Sequence, residues 1–208
     1  QEFFAENTHI DPLQVYRSLS EASPNPFAAF YKIDDKYLLC ASPERYLKKE
    51  GNKIYSQPIK GTSSRNLTDQ GQDHSNKEQL YNSVKDRTEN VMIVDLVRND
   101  LSKVCKDVKV DELFGIYSFP QVHQMVSTIS GELTTGFIDA IKATFPMGSM
   151  TGAPKKRVMQ LIEQYERTRR GIFSGSVGYI TPAGDFDFNV VIRSIMYNAS
   201  HRYLSFQA

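Results

Sequence analysis

The sequence has no tryptophan, only two cysteines, no marked excess of either charge and no long apolar run. Its 25 basic and 24 acidic residues leave a net charge of +1, which argues against a nucleic-acid or membrane surface. No apolar run approaches the roughly 18 residues of a membrane span, and residues 1–4 lack the order of a signal peptide. Cys40 and Cys105 have neither paired nor metal-type spacing, so we expect two free thiols and a cytoplasmic protein.

The remaining composition is ordinary for a globular protein. A chain of 208 residues, 40% hydrophobic and 24% charged, can bury a core in one large domain or two small ones. With so little net charge, function must come from local sites. The first residue is Gln1 rather than methionine, so we expect the chain to begin within a longer protein.

Apolar runs and turn signals predict a mixture of strands and helices. Residues 27–57 are predicted as successive strands, 63–75 as a surface loop, and 76–101, without proline or glycine, as one long helix. For the second half we predict a strand over 122–133, a short helix over 137–145, a helix from 154 closed by 169–171, and strands over 172–181 and 186–198.

One lysine lies between a proline, which restricts the backbone, and a glycine, which allows it more conformations. Lys60 follows Pro58 and precedes Gly61 and Thr62, and this order predicts a sharp turn that could aim the amine inward. A desolvated lysine can act as a nucleophile or base. Spacing alone still favours the alternative, a solvated loop lysine.

Three further patterns contain candidate site residues. Glu89 lies in a predicted helix that is apolar nearly all round, so its carboxylate needs a cation or an internal partner such as Arg98. The loop 148–155 has glycines and hydroxyls before a helix, which suits either an anionic ligand or a tight turn with a capped helix.

The third pattern is a charged residue in an apolar strand. Arg193 is predicted to alternate onto one face with Asp187, Asn189 and Val191, where it wants a carboxylate partner. His123 opens another predicted strand. A lone histidine there is more often a structural residue than a catalyst.

Together these motifs closely resemble those of the chorismate-utilising enzymes. The resemblance covers nearly the whole chain in family order, at residues 42–45, 58–62, 85–101, 122–127, 145–155, 169–171 and 192–194. It implies an α+β fold: a large α/β sandwich of two packed antiparallel sheets with outer helices. It also implies that 1–208 is one partial chorismate-binding catalytic domain, incomplete at both ends, lacking an N-terminal region and a C-terminal acidic helix that supplies metal ligands.

The resemblance implies roles for the matching positions. Lys60 resembles the nucleophile that attacks C2 of the chorismate ring as the C4 hydroxyl leaves, with Glu44 as an acid or base beside it. Glu89 resembles a carboxylate that holds the Mg2+ cofactor. His123 resembles a catalytic residue that lines the ring site, and the implied substrate-binding positions are Ser149, Thr151, Gly152, Ala153, Phe173, Arg193 and Thr62.

Lys60 also indicates the branch of the family. Anthranilate-forming members usually carry alanine at this position, whereas aminodeoxychorismate-forming members carry lysine. The resemblance therefore implies transfer of ammonia, delivered by a glutamine amidotransferase subunit, to chorismate in p-aminobenzoate synthesis. Anthranilate formation is one alternative, and a truncated domain that binds chorismate without turnover is another.

Overall fold

The computed structural model describes all 208 residues as an α+β fold of six helices and twelve strands. The helices are Pro12–Ala22 (α1), Gln70–Asn82 (α2), Val84–Leu101 (α3), Phe137–Thr144 (α4), Gly148–Thr151 (α5) and Lys155–Tyr165 (α6). The strands are Glu2–Ala5 (β1), Phe27–Ile33 (β2), Lys36–Ser42 (β3), Arg45–Glu50 (β4), Lys53–Gln57 (β5), Ile59–Ser64 (β6), Cys105–Ser118 (β7), Val122–Leu133 (β8), Gly178–Ile180 (β9), Phe186–Asn189 (β10), Ser194–Asn198 (β11) and Tyr203–Gln207 (β12).

The strands form two antiparallel sheets, which confirms the predicted fold class. The five-stranded sheet has the order β1-β12-β11-β3-β2, and β1 pairs with β12 near the two ends of the chain. The seven-stranded sheet has the order β6-β8-β5-β4-β10-β9, and β7 also pairs with β8. The long strand β8 has the bounds that its β-branched residues predict.

The chain crosses between the sheets at two places that lie side by side. The first crossing joins β3 to β4 through Glu44, and the second joins β10 to β11 through residues 190–193. The Val190 amide donates to the Glu44 carbonyl at 3.0 Å, and the Ala41 amide donates to the Arg193 carbonyl at 3.1 Å. These bonds fasten the two crossings to each other.

The largest core cluster lies between the seven-stranded sheet and helix α3. Ile93, Val97 and Leu101 of α3 are spaced by four residues, so they share one helix face and pack in a cluster with Leu47 and Ile129 of the sheet. Each fully buried aliphatic side chain stabilises the fold by about 1.5–3 kcal/mol. Helix α3 is therefore held firmly against the sheet.

The predicted helix over 76–101 is wrong in one respect, because the chain breaks at Ser83. Ser83 has an extended backbone (φ −65°, ψ 110°) and its hydroxyl accepts a hydrogen bond from the Asp86 amide at 3.3 Å. This serine caps α3, a local preference that outweighs the absence of proline and glycine. The predicted loop 63–75 is also shorter, since β6 and α2 occupy both of its ends.

Helix α3 is not apolar all round as the sequence suggested. Met92 is 43% exposed, and Asp95 and Arg98 form an ion pair on the exposed side with an N–O distance of 3.2 Å. The helix therefore has one buried face and one face in solvent.

The predicted strand over 186–198 is two strands in different sheets. Arg193 has a positive φ of 49°, so the alternation of residues 187–193 onto one face, predicted from the sequence, is wrong. The helix predicted from 154 ends at Tyr165, well before 169–171. Of the predicted strand 172–181, only Gly178–Ile180 pairs in a sheet.

The surface of the protein is large for its mass. The accessible area is 11679 Å², whereas a folded monomer of 23.7 kDa exposes roughly 9,800 Å². Phe4, Ile33 and Leu67 are among the large apolar side chains that are more than half exposed. These side chains place apolar surface in contact with solvent.

Substitution of the capping serine tests the break between α2 and α3. Ser83→Ala should lower the free energy of unfolding by about 1 kcal/mol, because the Asp86 amide loses its acceptor. Urea denaturation followed by circular dichroism measures the change. Ser75→Ala, inside α2, is the matched control and should cost little, since alanine favours a helix. An equal loss in both variants would contradict the capping role.

Candidate active site

Glu44 lies in the first crossing, between the last residue of β3 and the first residue of β4. Its side chain is buried, and its amide donates to the Ser42 hydroxyl at 3.2 Å. The next residue, Arg45, binds both oxygens of Asp187 at 2.9 Å. A bidentate pair of this kind fixes the geometry as well as the charge. The crossing therefore holds Glu44 in one place.

The carboxyl of Glu44 meets two other predicted site residues. Burial raises the pKa of Glu44 to about 7, and the Ser149 hydroxyl, the Ile59 backbone and the positive charge of Lys60 act in the opposite direction. The charge of Lys60 thus acts on this carboxyl, and Ser149 lines the same cavity as Glu44. A carboxyl with a pKa near 7 can donate or accept a proton at neutral pH, which is the property that a general acid or base needs.

Lys60 lies on β6 at an irregularity in its pairing with β8. The register shifts between Ile59 and Thr62, and Gly61 has a φ of +97°. A Cβ at Gly61 would lie 3.0 Å from Asp86 Cβ, so only glycine lets the start of α3 approach this closely. The sequence predicted a turn at this glycine, and the structure shows a bulge within a strand.

A narrow cavity lies beside Glu44. Its volume is about 20 Å³, which is room for about one water molecule. Polar groups on its wall belong to Glu44, Ser149, Tyr46, Asp100 and Thr144. The cavity in this form is too small for a ring with two carboxylates.

The sequence analysis did not predict the buried ion pair that lies at this cavity. The side chains of Asp100 and Lys155 are 4% and 16% exposed, and the Lys155 ammonium binds the carboxylate directly. Lys103 binds the other oxygen of Asp100 at 2.8 Å. The spacing of Asp100 from Ile93 and Val97 places it on the buried helix face, and this signal predicts the need for a cation.

His123 is buried between two protein groups. Its Nδ1 lies 2.8 Å from the Ser118 hydroxyl, and its Nε2 lies 3.1 Å from Asp73 Oδ1. A hydrogen bond from Arg65 is the largest of the contacts that lower the pKa of Asp73 to about 2, so this acceptor is ionised at neutral pH. Both nitrogens of the imidazole thus have partners within the protein.

The side chains of the remaining predicted residues make no hydrogen bond or ion pair with Glu44. Arg193 is exposed, and its guanidinium has no ion-pair partner. Thr62 and Ala153 are exposed, and the Thr151 hydroxyl donates to the Met147 carbonyl at 3.1 Å. Phe173 lines a separate open cleft, and Gly152, with φ +115°, ends helix α5.

The donors in this chain do not complete a metal site. Glu89 is half buried and has no ion-pair partner, and no group of three or more His, Cys, Asp or Glu side chains is placed to bind a metal ion. A magnesium ion usually needs several oxygen ligands in near-octahedral geometry. Glu89 alone does not meet that requirement.

The fold and the buried carboxyl beside a lysine define the class of protein: an α+β fold of the anthranilate synthase component I type. The structure of that protein from Streptococcus pneumoniae superposes with a TM-score of 0.88 and 30% identity, over 100% of this chain and 46% of that chain. The family model for chorismate binding enzymes matches residues 1–208. The chain belongs to the chorismate binding enzyme family.

Curated relatives are similar over most of this chain. Aminodeoxychorismate synthase component 1 of Klebsiella aerogenes is 42% identical over 94% of this chain and 44% of its own length. The protein of the same name from Bacillus subtilis is 40% identical over 92% of this chain and 41% of its own length. The chain therefore spans less than half the length of these relatives.

The buried carboxyl predicts a distinctive dependence of stability on pH. Because the pKa of Glu44 rises from 4.5 to about 7 on folding, the folded state binds more protons between these values and stability falls as the pH rises. The loss should reach about 3 kcal/mol by pH 7.5. Glu44→Gln should abolish this decline in urea titrations from pH 4 to 8. Glu163→Gln, at an exposed glutamate of α6, is the control, and a decline that survives Glu44→Gln would assign it to another group.

Proposed function

We propose that the chain is the chorismate-binding catalytic part of an aminodeoxychorismate synthase component 1. In this reaction chorismate and ammonia give 4-amino-4-deoxychorismate and water. The observation that carries the proposal is the placement of Glu44 beside Lys60 in a buried crossing between the sheets. Relatives with that name, 40–42% identical over more than nine-tenths of the chain, support it.

Two side chains suffice for the bond changes. A proton first passes from the Lys60 ammonium to the Glu44 carboxylate. The neutral amine then bonds to ring C2, the ring double bonds shift, and the C4–O bond breaks. Protonated Glu44 supplies the proton with which the hydroxyl leaves as water. Ammonia then bonds to C4, the C2–N bond breaks, and the Glu44 carboxylate takes the surplus proton. A carboxyl with a pKa of about 7 suits both directions of transfer.

The charges of chorismate need partners that we assign as part of the proposal. Arg193, which has no ion-pair partner, and the amides around Gly152 are proposed to bind one carboxylate. Ser149, Thr151, Ala153, Thr62, Phe173 and His123 remain the proposed lining of the substrate site. We also propose Mg2+ as a cofactor, with Glu89 as one ligand and the ring carboxylate of chorismate as another.

A partner and a location follow from the same proposal. We infer that a glutamine amidotransferase subunit delivers the ammonia, as the designation component 1 of the relatives suggests. Cys40 and Cys105 are free and buried, as predicted, which supports a reducing cytoplasm. None of the helices combines the length and apolarity that crossing a membrane requires.

Anthranilate synthase component I is the second candidate. The close superposition on the Streptococcus pneumoniae protein of that name favours it. The two reactions differ in their products, because anthranilate formation also releases pyruvate. Lys60 argues for the first candidate, since the anthranilate-forming members usually carry alanine there.

The decisive measurement is the mass of the product from chorismate, Mg2+ and ammonium at mildly alkaline pH. We expect aminodeoxychorismate without pyruvate, and we expect Lys60→Ala to lower the rate by about 100-fold or more, because the nucleophile is removed. Lys77→Ala, at an exposed lysine of α2, is the matched control and should keep the parent rate. Undiminished turnover by Lys60→Ala would refute the nucleophile, and anthranilate with pyruvate would select the second candidate.

A further inference from the structure

Ser149, which lines the same narrow cavity as Glu44, belongs to a very short element. Ser149 lies on α5, a helix of four residues with no side-chain cap. A single turn of helix has little stability of its own. Contacts from outside α5 must therefore hold the Ser149 hydroxyl at the carboxyl.

Lys155 supplies those contacts on the N-terminal side of α5. Its ammonium donates to the carbonyl oxygens of Pro146 at 2.7 Å and Thr144 at 3.1 Å, and also binds the Asp100 carboxylate. An ammonium group has three donors, so all three are used. One buried cation thus joins α3, the end of α4, the segment before α5 and the start of α6.

We propose that Lys155 is a positioning residue for the candidate active site: it clamps the segment of residues 144–147 onto Asp100 and thereby aims the Ser149 hydroxyl at Glu44. The inference rests on the proposed role of Glu44, but the experiment that tests it measures the titration of Glu44 and not catalytic turnover. The pair is not a surface feature, since the Asp100 and Lys155 side chains are only 4% and 16% exposed.

Lys103 shows what a purely electrostatic role would look like. Lys103 binds the same carboxylate as Lys155, but it lies three residues after Asp100 in the sequence and its side chain is 51% exposed. It makes no hydrogen bond or ion pair with residues 144–147. Either lysine places one positive charge near Asp100. Only Lys155 connects that charge to the segment that precedes Ser149.

The test is a carboxyl titration by carbon-13 NMR on the full chain, with the Glu44 signal assigned by its loss in Glu44→Gln. The charged and titratable groups that face Glu44 or line the same cavity are Lys60, Arg45, Tyr46 and Asp100. We expect Lys155→Met to raise the Glu44 midpoint by about one pH unit, since the ionised form loses one hydrogen bond. Ser149→Ala should give the same shift, and the double variant should add nothing to either.

Lys103→Met is the matched control and should leave the Glu44 midpoint within a few tenths of a unit. Lys155→Met leaves the buried Asp100 carboxylate with only one cation. A second pair of variants therefore removes the charge of Asp100 as well. Asp100→Asn with Lys155→Met should raise the midpoint by about one unit relative to Asp100→Asn with Lys103→Met, which carries the same net charge. An equal midpoint within this pair, or additive shifts for Lys155→Met and Ser149→Ala, would overturn the proposal.

Discussion

The two hydrogen bonds between the crossings are the constraint on which the site depends. The chain joins the two sheets twice. The Val190 amide ties one crossing to the other, and the Ala41 amide ties the end of β3 to the second crossing. Glu44 lies in one crossing and Arg193 in the other. The backbone at a crossing leaves the strand ladder, so its side chains are free to serve a site, while the bonded partner keeps it rigid.

The same crossing explains why the carboxyl titrates near neutrality. Glu44 is buried, and Ser149, Ile59 and Lys60 offset the effect of burial on its pKa only in part. Burial therefore favours the protonated form. This arrangement destabilises the folded state above neutral pH, and such a cost is typical of a residue held in place for chemistry rather than for packing.

The sequence predicts much of the fold but little of the site geometry. Strand β8 was placed correctly because it is rich in β-branched residues and ends at Gly131 and Glu132. The crossing at 190–193 was read as strand because apolar residues continue through it, and no local pattern marks the change of sheet. The nearness of Lys60 to Glu44 came from the family resemblance, since spacing alone favoured a solvated lysine. The break at Ser83 was missed because the surrounding composition favours a helix. The capping hydroxyl of Ser83 outweighs that preference.

Two buried carboxyls on the wall of one cavity have opposite surroundings. Asp100 has two ammonium groups against its two oxygens, so its charge is compensated within the protein. Glu44 has a hydroxyl, a backbone contact and one lysine that only partly offset its burial. A fully paired carboxylate holds structure in place, whereas a partly paired one remains able to exchange a proton. The division of labour between the scaffold at Asp100 and the chemistry at Glu44 therefore follows from how many cations each one meets.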